Sequence, residues 1–388
     1  MAKLNSTTII NKEVQIFQDS FFSHFSELED PRIDRKKLHN LMEILFIAIC
    51  AFICGANSWL GIVEFAKEKE KWLKKFIKIE NGIPSHVTFW RVFSRLKPKA
   101  FENCFINWMK QLAVLTKGEV IAIDGKTIRG TYDINDPNTA IHMVSAWANQ
   151  NRLILGQVKT EEKSNEITAI PKLLDMIDVK NCTITIDAMG CQKEIAEKII
   201  DNEANYILAL KGNQGSLKED VSLFLEDAIK TDFKGIDYDF YSSIEKSHGR
   251  IETRKIYVVN DINWLEGKDH WKSLSSIILV ESTREHKSKI SSENRYYISN
   301  LLSPARQFAQ DIRGHWGIEN SLHWCLDVGF REDRSVSKNA QTGENMSILR
   351  RIAFNLLKKD KTTKRSIENK RFRAALNESY LEQLLGLN

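Results

Sequence analysis

The sequence predicts an α/β fold, a mixed β-sheet flanked by helices and preceded by an all-helical N-terminal domain. Three observations predict it. Apolar residues recur at helical spacing from about residue 15 to 115, the period drops to two from residue 120, and strands then alternate with helices. A chain of 388 residues is long enough for two or three domains, each with its own core. Hydrophobic residues at 42% and charged ones at 28% are those of a folded globular protein, which excludes a disordered chain.

The elements follow in order. The apolar run "LMEILFIAICAFICGA", residues 41 to 56, contains Glu43 and is short for a membrane span, so it reads as a buried core helix. "FAKEKEKWLKKFIK" continues as an amphipathic helix, and Pro84 and Ser85 in "IPSHVTFWRVFSRLKP" open another. Arg91 and Arg95 lie one turn apart on it. Residues 84–96 are therefore either a DNA-recognition helix or an ordinary one packing Phe89, Val92, Phe93 and Leu96. Strands follow at "VIAID", "AIHMVSAWAN" and "RLILGQVKT", with Asn149, Gln150 and Asn151 turning the last two. A helix from Glu166 to Met176, the strand "CTITID", the helix "CQKEIAEKIIDN" and the strand "NYILALK" come next. Beyond the helix "SLKEDVSLFLEDAIK" lie strand-like pieces "RIETRKIYVV", "SSIILVESTRE" and "NRYYISN". One long final helix starts near Pro304 and runs past "DIRGHWGIENSLHWCLDV".

The six cysteines form no CxxC pair and read as free thiols of a reducing cytoplasm. The start, "MAKLNSTTIINKEVQIF", lacks an apolar stretch followed by a cleavage site, so a cytoplasmic location is expected. The net charge is +5, but residues 349–377 carry ten Lys and Arg against Asp360 and Glu368. Residues 349–388 thus read as a basic helical tail, suited to a polyanion or simply solvated.

The chemistry starts from two aspartates. Asp124 and Asp187 each close a β-type run, where carboxylates of neighbouring strands can converge on a hard divalent cation such as Mg²⁺. Two such ions, about 3.5–4 Å apart, would stabilise the attacking and leaving oxygens of a phosphodiester displacement. A third acid is needed. Glu319 is the strongest candidate, within the cluster His315, Trp316, Glu319, Asn320, His323 and Trp324; its rivals are Asp327, Glu332 and Asp333. His315, Glu319, His323 and Asp327 are spaced by four, so a zinc site on one helix face is a competing reading. It lacks the His-Glu-x-x-His pattern and a cysteine.

The stretches "DPRIDRKKLHNLMEILFIAICA", "IPSHVTFWRVFSRL", "IAIDGKTIRGT", "TITIDAMGCQKEIA", "YILALKGNQ", "HGRIETR" and "IRGHWGIENSLHWCLDVGFRED" resemble the DDE-type insertion-sequence transposases. The likeness is greatest to the ISAs-type group with the H-repeat-associated proteins, and the stretches occur in that family's order over residues 20 to 350. The resemblance implies a helical transposase-associated domain over 1–117, an RNase H-like catalytic core over 118–348 with a β-containing insertion at about 212–302, and the basic segment 349–388. It implies Asp124, Asp187 and Glu319 as catalytic acids holding two Mg²⁺ ions, for which Mn²⁺ can substitute. The implied partners are terminal inverted repeats and target DNA, with a homodimer assembled on DNA, no membrane, and association with the nucleoid. Lys126 and Arg129 would hold phosphate and keep Asp124 ionised. Lys211, His248, Arg250 and Arg254 suit the same task. The family's Tyr, Arg and Lys around the Glu read here as Ile312, His315 and Leu326, which leaves Arg313 or His315 to grip phosphate. The expected activity is metal-dependent DNA strand cleavage and transfer at element ends. A DNA-binding remnant and a nuclease without strand transfer are the alternatives.

Overall fold

The computed structural model describes residues 23–34, 37–113, 115–131, 140–161, 166–247, 249–287, 289–337 and 339–387. Its N-terminal helices are α1 (Leu41–Ile53), α2 (Trp59–Glu68), α3 (Glu70–Leu73), α4 (His86–Phe93) and α5 (Pro98–Leu112). Asn40 caps α1, its side chain accepting from the Met42 N–H at 2.8 Å, and eleven of the thirteen residues of α1 are buried. It is a core helix, as its apolar run predicts. Among the described residues, no helix is long and apolar enough to cross a membrane. Ser85 caps α4 through the Thr88 N–H at 3.2 Å. Phe89, Val92, Phe93 and Leu96 are buried, so the packing reading of this helix holds for that face, while Trp90, Arg91 and Arg95 stand exposed.

The sheet begins with the antiparallel meander β1 (Val120–Ile128), β2 (Ile141–Ala148) and β3 (Leu153–Lys159). After α6 (Glu166–Met176), β4 (Thr183–Ile186) pairs parallel to β1; after α7 (Lys193–Asp201), β5 (Asn205–Leu210) pairs parallel to β4. Helix α8 (Gly215–Lys230) then leads into β6 (Asp239–Ser247), β7 (Arg250–Val259), β8 (Ser276–His286) and β9 (Lys289–Ser299), all antiparallel. Because β9 also pairs with β5, the nine strands form one sheet in the order β3-β2-β1-β4-β5-β9-β8-β7-β6. The inserted strands therefore extend the core sheet. Strand β6 has no counterpart in the sequence reading, because residues 239–246 are exposed or half-exposed and no buried apolar alternation marks them.

The expected long final helix is interrupted. Helix α9 (Ala305–Gly317) passes into a π turn, Ile318–His323, and then α10 (Trp324–Gly329). Wider i→i+5 turns of this kind are rare and recur at functional sites. Phe308 and Ile312 of α9 pack on Ile207, Ile256, Val258, Ile278 and Tyr297, so the inserted strands supply much of the platform for this helix. The end of α9 lies close on the β2–β3 turn. Asn149 donates to the Gly314 carbonyl at 2.6 Å, and a Cβ on Gly317 would overlap the Asn149 side chain.

The last helices are α11 (Ala340–Lys359), α12 (Ile367–Leu376) and α13 (Glu378–Leu385). They do not form a solvated basic tail. Helix α11 packs on α1, α4, α5 and β3, and Arg350, Arg351, Lys370 and Arg371 are all buried. Arg371 donates to the carbonyls of Phe52 at 2.9 and 3.1 Å and of Ala56 at 3.1 Å, and to that of Gly329, closing the C-terminal end of α1 against α10. Lys370 reaches the Leu357 and Asp360 carbonyls at 3.0 and 2.6 Å. A count of charges along the sequence cannot register this, because it does not show that Arg371 is taken up by backbone carbonyls, which carry no formal charge, nor that Arg351 meets the buried Glu332 carboxylate at 2.9 Å. All six cysteines are free thiols, as expected.

Candidate active site

Strand register brings the two aspartates together. The parallel ladder between β1 and β4 ends with Ile123 beside Ile186, so Asp124 and Asp187 occupy the next position on each strand. Neighbouring strands lie about 4.8 Å apart, which makes these residues neighbours. Asp187 does end its strand. Asp124 does not: β1 continues against β2 to Ile128, so Asp124 sits mid-strand where β4 has just stopped. Glu319, in the π turn, lines the same cleft of about 270 Å³ with both aspartates, and Lys211 stands exposed at its rim.

Charge in this cleft is poorly neutralised. Burial pushes the Asp124 carboxyl up to about 7, with Glu166, Asp187 and Glu319 adding to the shift and the Gly125 N–H opposing it. The bases beside Asp124 in sequence do not hold it ionised, contrary to expectation. Lys126 is buried and paired with Asp327 and Asp333, each at 2.8 Å, and with Glu332 at 3.7 Å. Burial works against its charge, but those carboxylates outweigh it and raise its pKa. It is therefore not available to DNA. Arg129 is exposed, 3.7 Å from Asp333, and free to reach outward. The same pairing occupies Glu319's rivals Asp327, Glu332 and Asp333 with Lys126, and Glu332 also with Arg351 at 2.9 Å.

The residues spaced by four on the final helices turn to different partners, which dissolves the zinc reading. His315 Nδ1 lies 3.1 Å from the Thr185 hydroxyl, His323 Nδ1 lies 3.6 Å from Asp124, Asp327 meets Lys126, and Glu319 faces the cleft. Burial, with Arg351 and Lys126 nearby, pushes the His323 imidazole down to about 4, so a neutral ring faces Asp124. Burial also lowers the His315 pKa, with Asp187 pulling the other way. His315 is thus poorly suited to grip phosphate, whereas Arg313 is exposed and 2.6 Å from Glu245. Arg250 and Arg254 line a second cleft next to the first; His248 lies outside the described residues.

One acid escaped the sequence reading. Glu166, the first residue of α6, bonds His142 Nε2 at 2.8 Å, and His142 Nδ1 lies 2.8 Å from the Thr127 hydroxyl. The Glu166 carboxylate occupies the space where a Cβ on residue 125 would be, so Gly125 is required by close approach. The clue was the glycine directly after Asp124. Among the described residues, no three His, Cys, Asp or Glu side chains are grouped tightly enough to hold an ion as they stand, so the acids share a cleft without forming a closed ligand set.

Residues 22–109 match the model of the DDE_Tnp_1-associated domain, and residues 115–356, well over half the chain, match that of the transposase DDE domain. The chain belongs to the DDE transposase family. It is 45% identical over 371 residues to "Putative transposase YncI" of Escherichia coli O157:H7, covering 94% of both chains. It is 42% identical to "H repeat-associated putative transposase YhhI" of Escherichia coli (strain K12), covering 93% of this chain and 96% of that one. A solved synaptic complex of piggyBac transposase with hairpin DNA aligns with a TM-score of 0.43 at 12% identity, over 96% of this chain and 80% of that one. Membership of the DDE transposase family agrees with the mixed sheet, its flanking helices and the helical N-terminal region. The boundary between the two matched models, at residues 109–115, falls where α5 hands over to β1.

Proposed function

We propose that this protein is an active transposase that cleaves DNA strands at element ends and joins them to a target, using Mg²⁺ or Mn²⁺ held by Asp124, Asp187 and Glu319. The observation that carries the reading is the adjacent register of Asp124 and Asp187, with Glu319 lining the same cleft. The donors fit a hard divalent cation: all three are carboxylates, and the negative charge crowding Asp124 is what such a cation would neutralise. When bound, the ions would activate water and then a DNA 3′-hydroxyl for attack on phosphorus.

The chain's own residues hold and orient. Asp187 accepts the Met189 N–H at 3.0 Å, which leaves its second oxygen for a ligand. The neutral His323 ring covers Asp124 from the helix side without drawing off its charge. Lys211 at the rim of this cleft, with Arg129 after β1 and Arg313 on α9 as further exposed cations, would hold phosphate, which positions DNA and does not read its sequence. The expected partners are the terminal inverted repeats and target DNA, bound by a homodimer.

The test is Asp187→Asn, which keeps shape and removes one charge. The variant is expected to bind terminal-repeat DNA within a few-fold of wild type while Mg²⁺- or Mn²⁺-dependent strand cleavage largely disappears. Persisting cleavage would remove Asp187 from the site. Wild-type protein that binds the ends and never cuts them under either metal would make it a binding remnant.

A further inference from the structure

A second cleft, of about 410 Å³, adjoins the acids; Arg295, Tyr297, Ile312 and Trp316 line both. Its floor is the face of β7–β9 and its wall is α9. Arg250, Arg254, Arg284, Arg295 and Arg313 all line it. Three of these arginines are clamped onto two carboxylates. Arg254 lies 2.6 Å from Glu252 and 3.4 Å from Glu245, Arg284 donates to Glu252 at 3.1 Å, and Arg313 lies 2.6 Å from Glu245.

Glu245 and Glu252 are themselves direct cross-strand partners in the β6–β7 ladder. Like charges directly opposite one another destabilise a sheet, so strand pairing gives no reason for this placement. The arginines give one. A guanidinium fork fits carboxylate and phosphate oxygens by the same geometry, and the cleft has the size of a small-ligand site, which takes one nucleic-acid strand and not a duplex. We propose that this cleft receives the phosphates of a single DNA strand leading to the acids, and that Glu245 and Glu252 occupy the phosphate positions until the strand displaces them. The carboxylates keep the arginines ordered in the absence of DNA and act as built-in competitors, weakening the hold on any strand that does not also engage the acids. Arg295, bidentate to Glu293 at 2.8 and 2.9 Å and lying over the Trp316 ring at 4.8 Å, marks the junction of the clefts.

The proposal rests on the transposase reading for the identity of the strand, but its test needs no catalysis. A fluorescein-labelled single-stranded oligonucleotide is titrated in EDTA against wild type, the double variant Glu245→Gln/Glu252→Gln and the double variant Arg254→Ala/Arg284→Ala, each with its melting curve recorded. The glutamine variant is expected to bind about 3- to 10-fold more tightly at low salt. Its dependence of log affinity on log salt should steepen by about 0.7 for each phosphate contact that no longer displaces a carboxylate. The arginine variant is expected to lose about tenfold or more. Unchanged affinity and slope in the glutamine variant, or wild-type affinity in a folded arginine variant, would overturn the proposal while metal-dependent cleavage by wild type left the transposase reading standing. Failure of wild type to bind the oligonucleotide would also overturn the proposal, and cleavage of terminal-repeat DNA would still decide the transposase reading on its own.

Discussion

Asp124 shows at the scale of one residue how the site is built, since its surroundings favour the protonated form and a cation would reverse that preference. With its carboxyl pushed up to about 7, metal must displace a proton at lower pH. Mn²⁺ affinity followed by calorimetry is therefore expected to fall about tenfold per unit below pH 7 and to level off above it, with proton release on binding vanishing over the same range. A pH-independent affinity would contradict this environment. The linked stability effect has a definite sign. The folded state keeps a proton that the unfolded chain loses between about pH 4 and 7, so stability falls as pH rises through that window. Asp124→Asn without metal should stabilise the fold above pH 7 by on the order of 2 kcal/mol, read as a higher melting temperature, with the gain fading toward pH 4. Lys126 was misread in the sequence because adjacency along a strand does not tell which groups a side chain faces. Lys126→Met should cost roughly 3 kcal/mol in a denaturant titration by leaving Asp327 and Asp333 without their cation, and should leave DNA affinity unchanged. A large loss of DNA affinity with unaltered stability would restore Lys126 to the DNA surface.

Among the elements, placement of the third acid depends on how close α9 comes to the β2–β3 turn. Gly317 allows the approach, and Glu319 follows two residues later. Gly317→Ala is expected to lower stability by about 1–3 kcal/mol through overlap with Asn149, and to reduce cleavage further than the residual folded fraction explains. Adding Asn149→Ala should recover part of the activity by making room, as measured by strand cleavage at matched folded concentration. Wild-type cleavage by Gly317→Ala would show that this contact does not set Glu319. Most elements were legible in the sequence. β1 to β5, α6 and α7 announce themselves by alternating β-branched residues, short turns and amphipathic runs; Asp187 was picked out where such a pattern stops, whereas Asp124 lies mid-strand and Glu319 was singled out only by its cluster on the final helix. The π turn was not legible, since "GIENSLHW" carries the apolar spacing of a plain helix and nothing in it announces the contact of this turn with β1. Nor was Glu166, whose position at the start of α6 gives no sign that it meets His142 beside Gly125.

At the scale of the whole molecule, the C-terminal helices belong to the core of the N-terminal ones. Deleting residues 349–388 is therefore expected to abolish cooperative unfolding in circular dichroism, rather than yield a folded protein with a weaker salt dependence of DNA binding. A stable truncated chain would reinstate the solvated tail. The contact between Arg371 and the end of α1 also places a demand on synthesis. The guanidinium and the Phe52 carbonyl it caps are 319 residues apart. At translation rates of about 5–20 residues per second, α1 leaves the ribosome roughly 15–60 seconds before its capping group exists. During that interval its eleven residues destined for burial are without α11 and α12 to cover them. Each nascent chain thus spends most of its synthesis as an incomplete hydrophobic surface, dependent on chaperones or on luck, and a ribosome that stalls before Arg371 leaves behind a product suited to aggregation and degradation.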